Sequence, residues 1–120
     1  EEPEEEEDPW DVEFFVSNDA MEWEIANLKT KVAQYGAKRA AVPEDITERM
    51  MALELKMNML AIQVETGQLS QETYFAQLQH RIQGDREQAK KFLQKGNKEM
   101  AAQLLKRSKV MEKELELSAE

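Results

Sequence analysis

The sequence predicts an all-α protein, an antiparallel bundle of helical hairpins built from three to four long helices behind a disordered acidic N-terminus. Three observations lead there. Apolar residues return at helix-turn spacing along most of the chain. Glycines and capping residues fall between the periodic segments. Ala, Glu, Lys, Leu, Gln and Met, which lose little side-chain freedom in a helix, dominate a chain with only four Gly and three Pro. At 120 residues there is room for one domain, so the chain divides into a leader over residues 1–16 and a helical domain over 17–120.

The leader is set apart by charge. It holds nine of the chain's 25 acids and none of its 16 bases, so the formal net charge of −9 belongs to it and the rest is balanced. A run such as EEPEEEEDP repels itself and has no apolar surface to bury, which predicts disorder. Trp10, Val12, Phe14, Phe15 and Val16 follow as a dense apolar cluster outside any helical period. Such a cluster either packs across the bundle or is the stub of an upstream domain.

Each helix has its own signals. Ser17, Asn18 and Asp19 offer consecutive N-caps, and Met21, Ile25, Leu28, Val32 and Tyr35 form the first stripe, with Gly36 expected to stop it. Pro43 suits the first position of the second helix, and Glu44 and Asp45 complement its dipole. That helix runs to about Glu65 before Gly67. It carries a heptad of Ile46, Met50, Leu53, Met57, Leu60 and Val64, and on another face Met51, Leu55, Met59 and Ile62. A helix that is apolar on two faces is expected at the centre of a bundle.

The third helix starts at Ser70 and carries Phe75, Leu78, Ile82, Ala89 and Phe92. Asp85 stands where the next apolar residue is due, so Gly84-Asp85 predicts a kink or break. Gly96-Asn97 is a stop and restart, and the fourth helix presents Ala101, Leu104, Met111 and Leu115 with Ser108 in register. So short a connection makes the last two helices an antiparallel hairpin.

Chemistry finds little footing. There is no Cys and only one His, His80, on the polar side of the third helix, so a metal site of the His/Cys kind has no donor set. No nucleophile–base pair and no Gly-rich phosphate loop appear, so no catalytic residue, metal or cofactor is expected. A neutral body gives no footing for nucleic acid. No apolar run approaches the ~20 residues that cross a bilayer. The acidic start does not fit a secretory signal, the lack of Cys is compatible with a reducing compartment, and a cytoplasmic location is expected; whether the sequence is a piece of a longer protein is left open.

The remaining candidates are surfaces for a protein partner, among them a second copy of the chain. Trp23 lies off its helix stripe, either as an interface anchor or under the Trp10–Val16 segment. Met51 and Met59 are either covered by the last hairpin or form an adaptable docking face. Over residues 86–113 nine bases face three acids. Lys98, Lys106, Arg107, Lys109 and Lys113 are the candidates there for an acidic helix, for the chain's own leader, or for indirect contact with an anionic membrane.

The segments SNDAMEWEIANLK, VPEDITERMMALE, GQLSQETYFAQLQHRI and AKKFLQKGNKEMAAQLLKRSKVMEKEL resemble the helical region that follows the C2 domain in coiled-coil and C2 domain-containing proteins, the Lethal giant discs family. The resemblance covers about residues 17–118. It implies a cytosolic adaptor of endosomal sorting that engages ESCRT-III subunits. In that family the engagement is attributed to basic repeats that this sequence does not contain, so no binding residue carries over, and the implied role is scaffolding or self-association. The residue pattern alone leaves two other readings: a structural coiled-coil module of a centrosomal or ciliary assembly, and a peripheral binder of anionic membranes through the basic fourth helix.

Overall fold

The computed structural model describes residues 8–118. Four long helices account for most of them: α1 (Asn18–Ala37), α2 (Glu44–Glu65), α3 (Gln71–Gln94) and α4 (Lys98–Ser118). A strap over residues 8–16, with a single 3-10 turn at Val12–Phe14, precedes them. The all-helical bundle expected from periodicity is what the described residues form. The expected disorder over residues 1–7 falls outside them.

The caps follow from side-chain chemistry. Of the three candidates, Ser17 caps α1, its Oγ accepting from the Ala20 N–H at 3.0 Å. Ser70 caps α3 by accepting from the Thr73 N–H at 3.1 Å, and Asn97 Oδ1 accepts from the Met100 N–H at 3.1 Å at the start of α4. Gly96, with φ 83°, makes the tight turn between α3 and α4. The hairpin is antiparallel, as Asp85 meets Arg107 and Tyr74 meets Glu114 further from the turn.

Two boundaries differ from the expectation. Pro43 is the N-cap of α2 and Glu44 its first residue. At the end of α1, Gly36 stays inside the last turn and the left-handed position is taken by Arg39, with φ 55°. The Ala40 N–H reaches back to the Tyr35 carbonyl at 2.9 Å, closing the helix one turn later than the glycine suggested.

The anticipated break at Gly84-Asp85 is absent, and α3 runs through it. The reason is tertiary. Asp85 is fully buried and receives two hydrogen bonds from Arg107 of α4. Gly84 leaves room for a neighbour, since a Cβ there would lie 2.2 Å from Arg81 Nη2. Both residues that look like helix breakers are used by interhelical and cross-turn contacts.

The core gathers Phe15, Met21, Ile25, Leu28, Leu53, Leu78, Ile82 and Met111, with a second cluster of Ala89, Ala101 and Leu104 nearer the hairpin turn. Helix α2 is not central as its two apolar faces suggested, for Leu53 is its only buried residue. The middle positions go to α1, which packs on α2 and α4, and to α4, which packs on α1 and α3. The strap explains the difference. Phe15 is fully buried in the main core, so the strap fills the space that a helix packed across α2 would need. The leader expected over residues 1–16 is therefore, from Asp8 onward, part of the fold.

Candidate protein-interaction site

The strap is held by basic side chains from three helices. Arg107 of α4 is fully buried, with its guanidinium 4.7 Å from the ring centroids of both Trp10 and Phe15. Its Nε and Nη2 donate to the Asp85 carboxylate at 2.8 and 2.6 Å. A planar cation suits this place because it pairs two-pronged with the carboxylate while its charge is attracted to the neighbouring rings, which meet each other edge-on at 5.1 Å. Arg81 of α3 donates to the same carboxylate at 3.2 Å and lies over Phe14.

On the other side, Arg49 of α2 donates to the Trp10 carbonyl and to Glu24, which also accepts from the Trp10 indole N–H at 2.8 Å. Lys56 of α2 donates to the carbonyls of Val12 and Glu13 at 2.9 and 3.0 Å. Burial pushes the Lys56 ammonium below the usual lysine range, and the nearby carboxylates of Glu13 and Asp11 oppose that shift.

A second buried polar group ties α1 to the hairpin. The Glu114 carboxylate accepts from Ser17 Oγ at 2.5 Å, from the Asp19 N–H at 3.1 Å and from the Tyr74 hydroxyl at 2.5 Å. A carboxylate at a helix N-terminus satisfies donors that have no partner within the helix. Burial pushes the Tyr74 hydroxyl well up from its ordinary range; the Asn18 N–H hydrogen bond works against this and Glu114 adds to it.

The sequence candidates therefore separate. Arg107 does not belong to the basic surface of α4, because it points into the core, in line with Leu104, Ser108 and Met111. Lys98, Lys106, Lys109 and Lys113 remain exposed on the opposite side. Trp23 is half-buried and meets Trp10 edge-on at 5.8 Å, under the strap. Met51 and Met59 stand on the outer face of α2, with Leu55 and Ile62 completing the row. Their exposures are 64%, 61%, 51% and 57% in chain order, so more than half of each side chain faces solvent.

This row is the most distinctive open surface of the molecule. Successive members lie within ~40° of one line along the helix, opposite the face that carries Leu53. A shallow cleft of about 440 Å³ runs beside it toward α1, lined by Ile25, Ala26, Met57, Asn58 and Glu54 among others. A helix that is apolar on opposite sides normally has a neighbour on each, and among the described residues none covers the outer face.

The sequence places the row on a second face of the helix, and Leu55 and Ile62 belong to the same open surface as the candidates Met51 and Met59. The Asp85–Arg107 pair was missed, although a signal exists. The two charges sit eleven residues on either side of Gly96, each in the apolar register of its helix. Among the described residues no group of three or more His, Asp or Glu is arranged to hold a metal ion, and no helix is long and apolar enough to cross a membrane. No protein-family model matches the chain, and neither a curated protein nor a solved structure is significantly similar to it.

Proposed function

We propose that this chain is a non-enzymatic protein–protein interaction module that docks a partner on the outer face of α2. The observation that supports this is the uncovered row Met51, Leu55, Met59 and Ile62. Contiguous apolar surface costs free energy in water, and a monomer seldom leaves a whole helix face open without a use. Methionine and leucine in such a row adapt to a partner's shape. The resemblance of residues 17–118 to the helical region of Lethal giant discs-like proteins supports a scaffold role in cytosolic endosomal sorting.

The test compares capture of cytosolic proteins by the 120-residue chain with capture by Leu55→Glu/Met59→Glu and by Lys106→Glu/Lys109→Glu. All four positions are exposed, so helicity and melting are expected to be unchanged. Partners should be lost from the α2 variant and kept by the α4 variant. Identical partner sets for wild type and the α2 variant would remove the outer face of α2 from consideration. Loss only with the α4 variant would transfer the role to the basic helix.

A further inference from the structure

The charges around the α2 row identify what kind of partner fits it. Helix α2 carries five acids, Glu44, Asp45, Glu48, Glu54 and Glu65, and two bases, Arg49 and Lys56. Both bases are drawn to the strap, Arg49 to the Trp10 carbonyl and Glu24, Lys56 to the Val12 and Glu13 carbonyls. The five acids are all exposed, and none of them forms an ion pair with another described residue.

At 100° per residue, Glu44 and Glu48 continue the line of the row toward the N-terminus, and Glu54 and Glu65 edge it on the α1 side. On the opposite edge stands Asp45, followed by the strap, whose Asp11 and Glu13 are exposed and close enough to act on Lys56. Lys29 of α1, which shares the cleft with Glu54, is the one base lining it. An apolar row inside an acidic rim results.

A second copy of the chain does not complement this face through its own α2. Antiparallel pairing that sets Met51 against Ile62 of the other copy also sets Glu48 against Glu65, and parallel pairing sets Glu48 against itself. Like charges at flanking positions disfavour such pairs.

We infer that the outer face of α2 receives an amphipathic helix of another protein, with an apolar stripe flanked by Lys and Arg. This rests on the docking reading above and specifies its partner. Apolar contact supplies the affinity, and the acidic rim selects sign and speeds encounter.

Two synthetic 18-residue amphipathic helices with the same leucine stripe, one rimmed by Lys and one by Glu, distinguish the possibilities. Each is titrated into the full chain carrying labelled methionine methyl groups, at low and moderate salt. The Lys-rimmed helix is expected to shift the Met51 and Met59 signals and to leave the buried Met21 and Met111 signals in place. Its affinity should fall at least tenfold in Glu48→Lys/Glu54→Lys and fall again with salt, while the Glu-rimmed helix binds at least tenfold more weakly.

Equal binding of both helices at Met51 and Met59 would keep the docking face and overturn the basic partner. If neither helix moves those two signals, or the Lys-rimmed helix moves only signals elsewhere, the docking face itself falls. Light scattering showing assembly of the chain alone, abolished by Leu55→Glu/Met59→Glu, would give the face to a second copy and overturn the inference.

Discussion

Arg107 and Asp85 form a two-pronged ion pair with no exposure of the aspartate, and the guanidinium of that pair also lies 4.7 Å from the ring centroids of both Trp10 and Phe15. One guanidinium thus joins α3, α4 and the strap. Taking two charges out of water carries a large desolvation cost, so the pair is best understood as specifying how the parts fit rather than as a net source of stability.

Removing one partner should therefore be worse than removing both. Arg107→Met or Asp85→Leu alone is expected to destabilise the fold by ~3–5 kcal/mol, because the first leaves the buried Asp85 with only its 3.2 Å contact to Arg81 and the second leaves the buried Arg107 with no carboxylate. The double change Asp85→Leu/Arg107→Met should recover at least ~1 kcal/mol of that loss. Urea unfolding followed by circular dichroism of the four proteins checks it, and strictly additive losses would contradict it.

Gly84 gives a second double-mutant cycle. Glycine to alanine inside a helix ordinarily gains up to ~1 kcal/mol. Here the new Cβ displaces the end of Arg81, which then leaves Asp85 and Phe14. Gly84→Ala alone is expected to change stability by less than ~0.5 kcal/mol, and to gain ~1 kcal/mol when Arg81 is already alanine. The same unfolding measurements report both.

Arg39 holds a left-handed backbone with a side chain that the fold does not require there. An L-residue in that conformation costs roughly 1–2 kcal/mol, and glycine relieves the strain while losing some unfolded-state rigidity. Arg39→Gly should raise stability by ~0.5–1 kcal/mol, and an unchanged or lowered denaturation midpoint would count against it.

Tyr74 makes the fold sensitive to alkali. Its folded pKa is raised above the ordinary 10.0, so the folded state holds the phenolic proton more tightly than the unfolded state. The stability this contributes is complete below pH 10.0 and is lost as pH rises through the folded value. Lys56 acts in the opposite direction, since its lowered pKa adds stability as pH rises toward 10.5. A comparison of wild type with Tyr74→Phe cancels the lysine. The urea midpoint of wild type should drop between pH 10 and 12 more steeply than that of the variant, and parallel curves would refute the assignment.

Helix positions were legible in the sequence wherever the deciding interaction is local. Ser17, Ser70 and Asn97 cap the N–H groups three residues on, and Gly67 and Gly96 take positive φ, so spacing along the chain sufficed to find them. The same holds for the α3–α4 hairpin, whose short connection permits one arrangement. The row on α2 was legible as a stripe, but not whether a neighbour covers it.

By itself, then, the sequence determined the helices, their ends to within a turn and the acidic character of the leader, because these depend on residues within a few positions of each other. Only the tertiary structure decided that Arg107 belongs to the core rather than to a basic face, that Gly84-Asp85 leaves α3 unbroken, and that the strap rather than a helix fills the middle of the bundle. Each of these depends on groups far apart in the chain that desolvate one another, and side-chain periodicity does not say which face meets which.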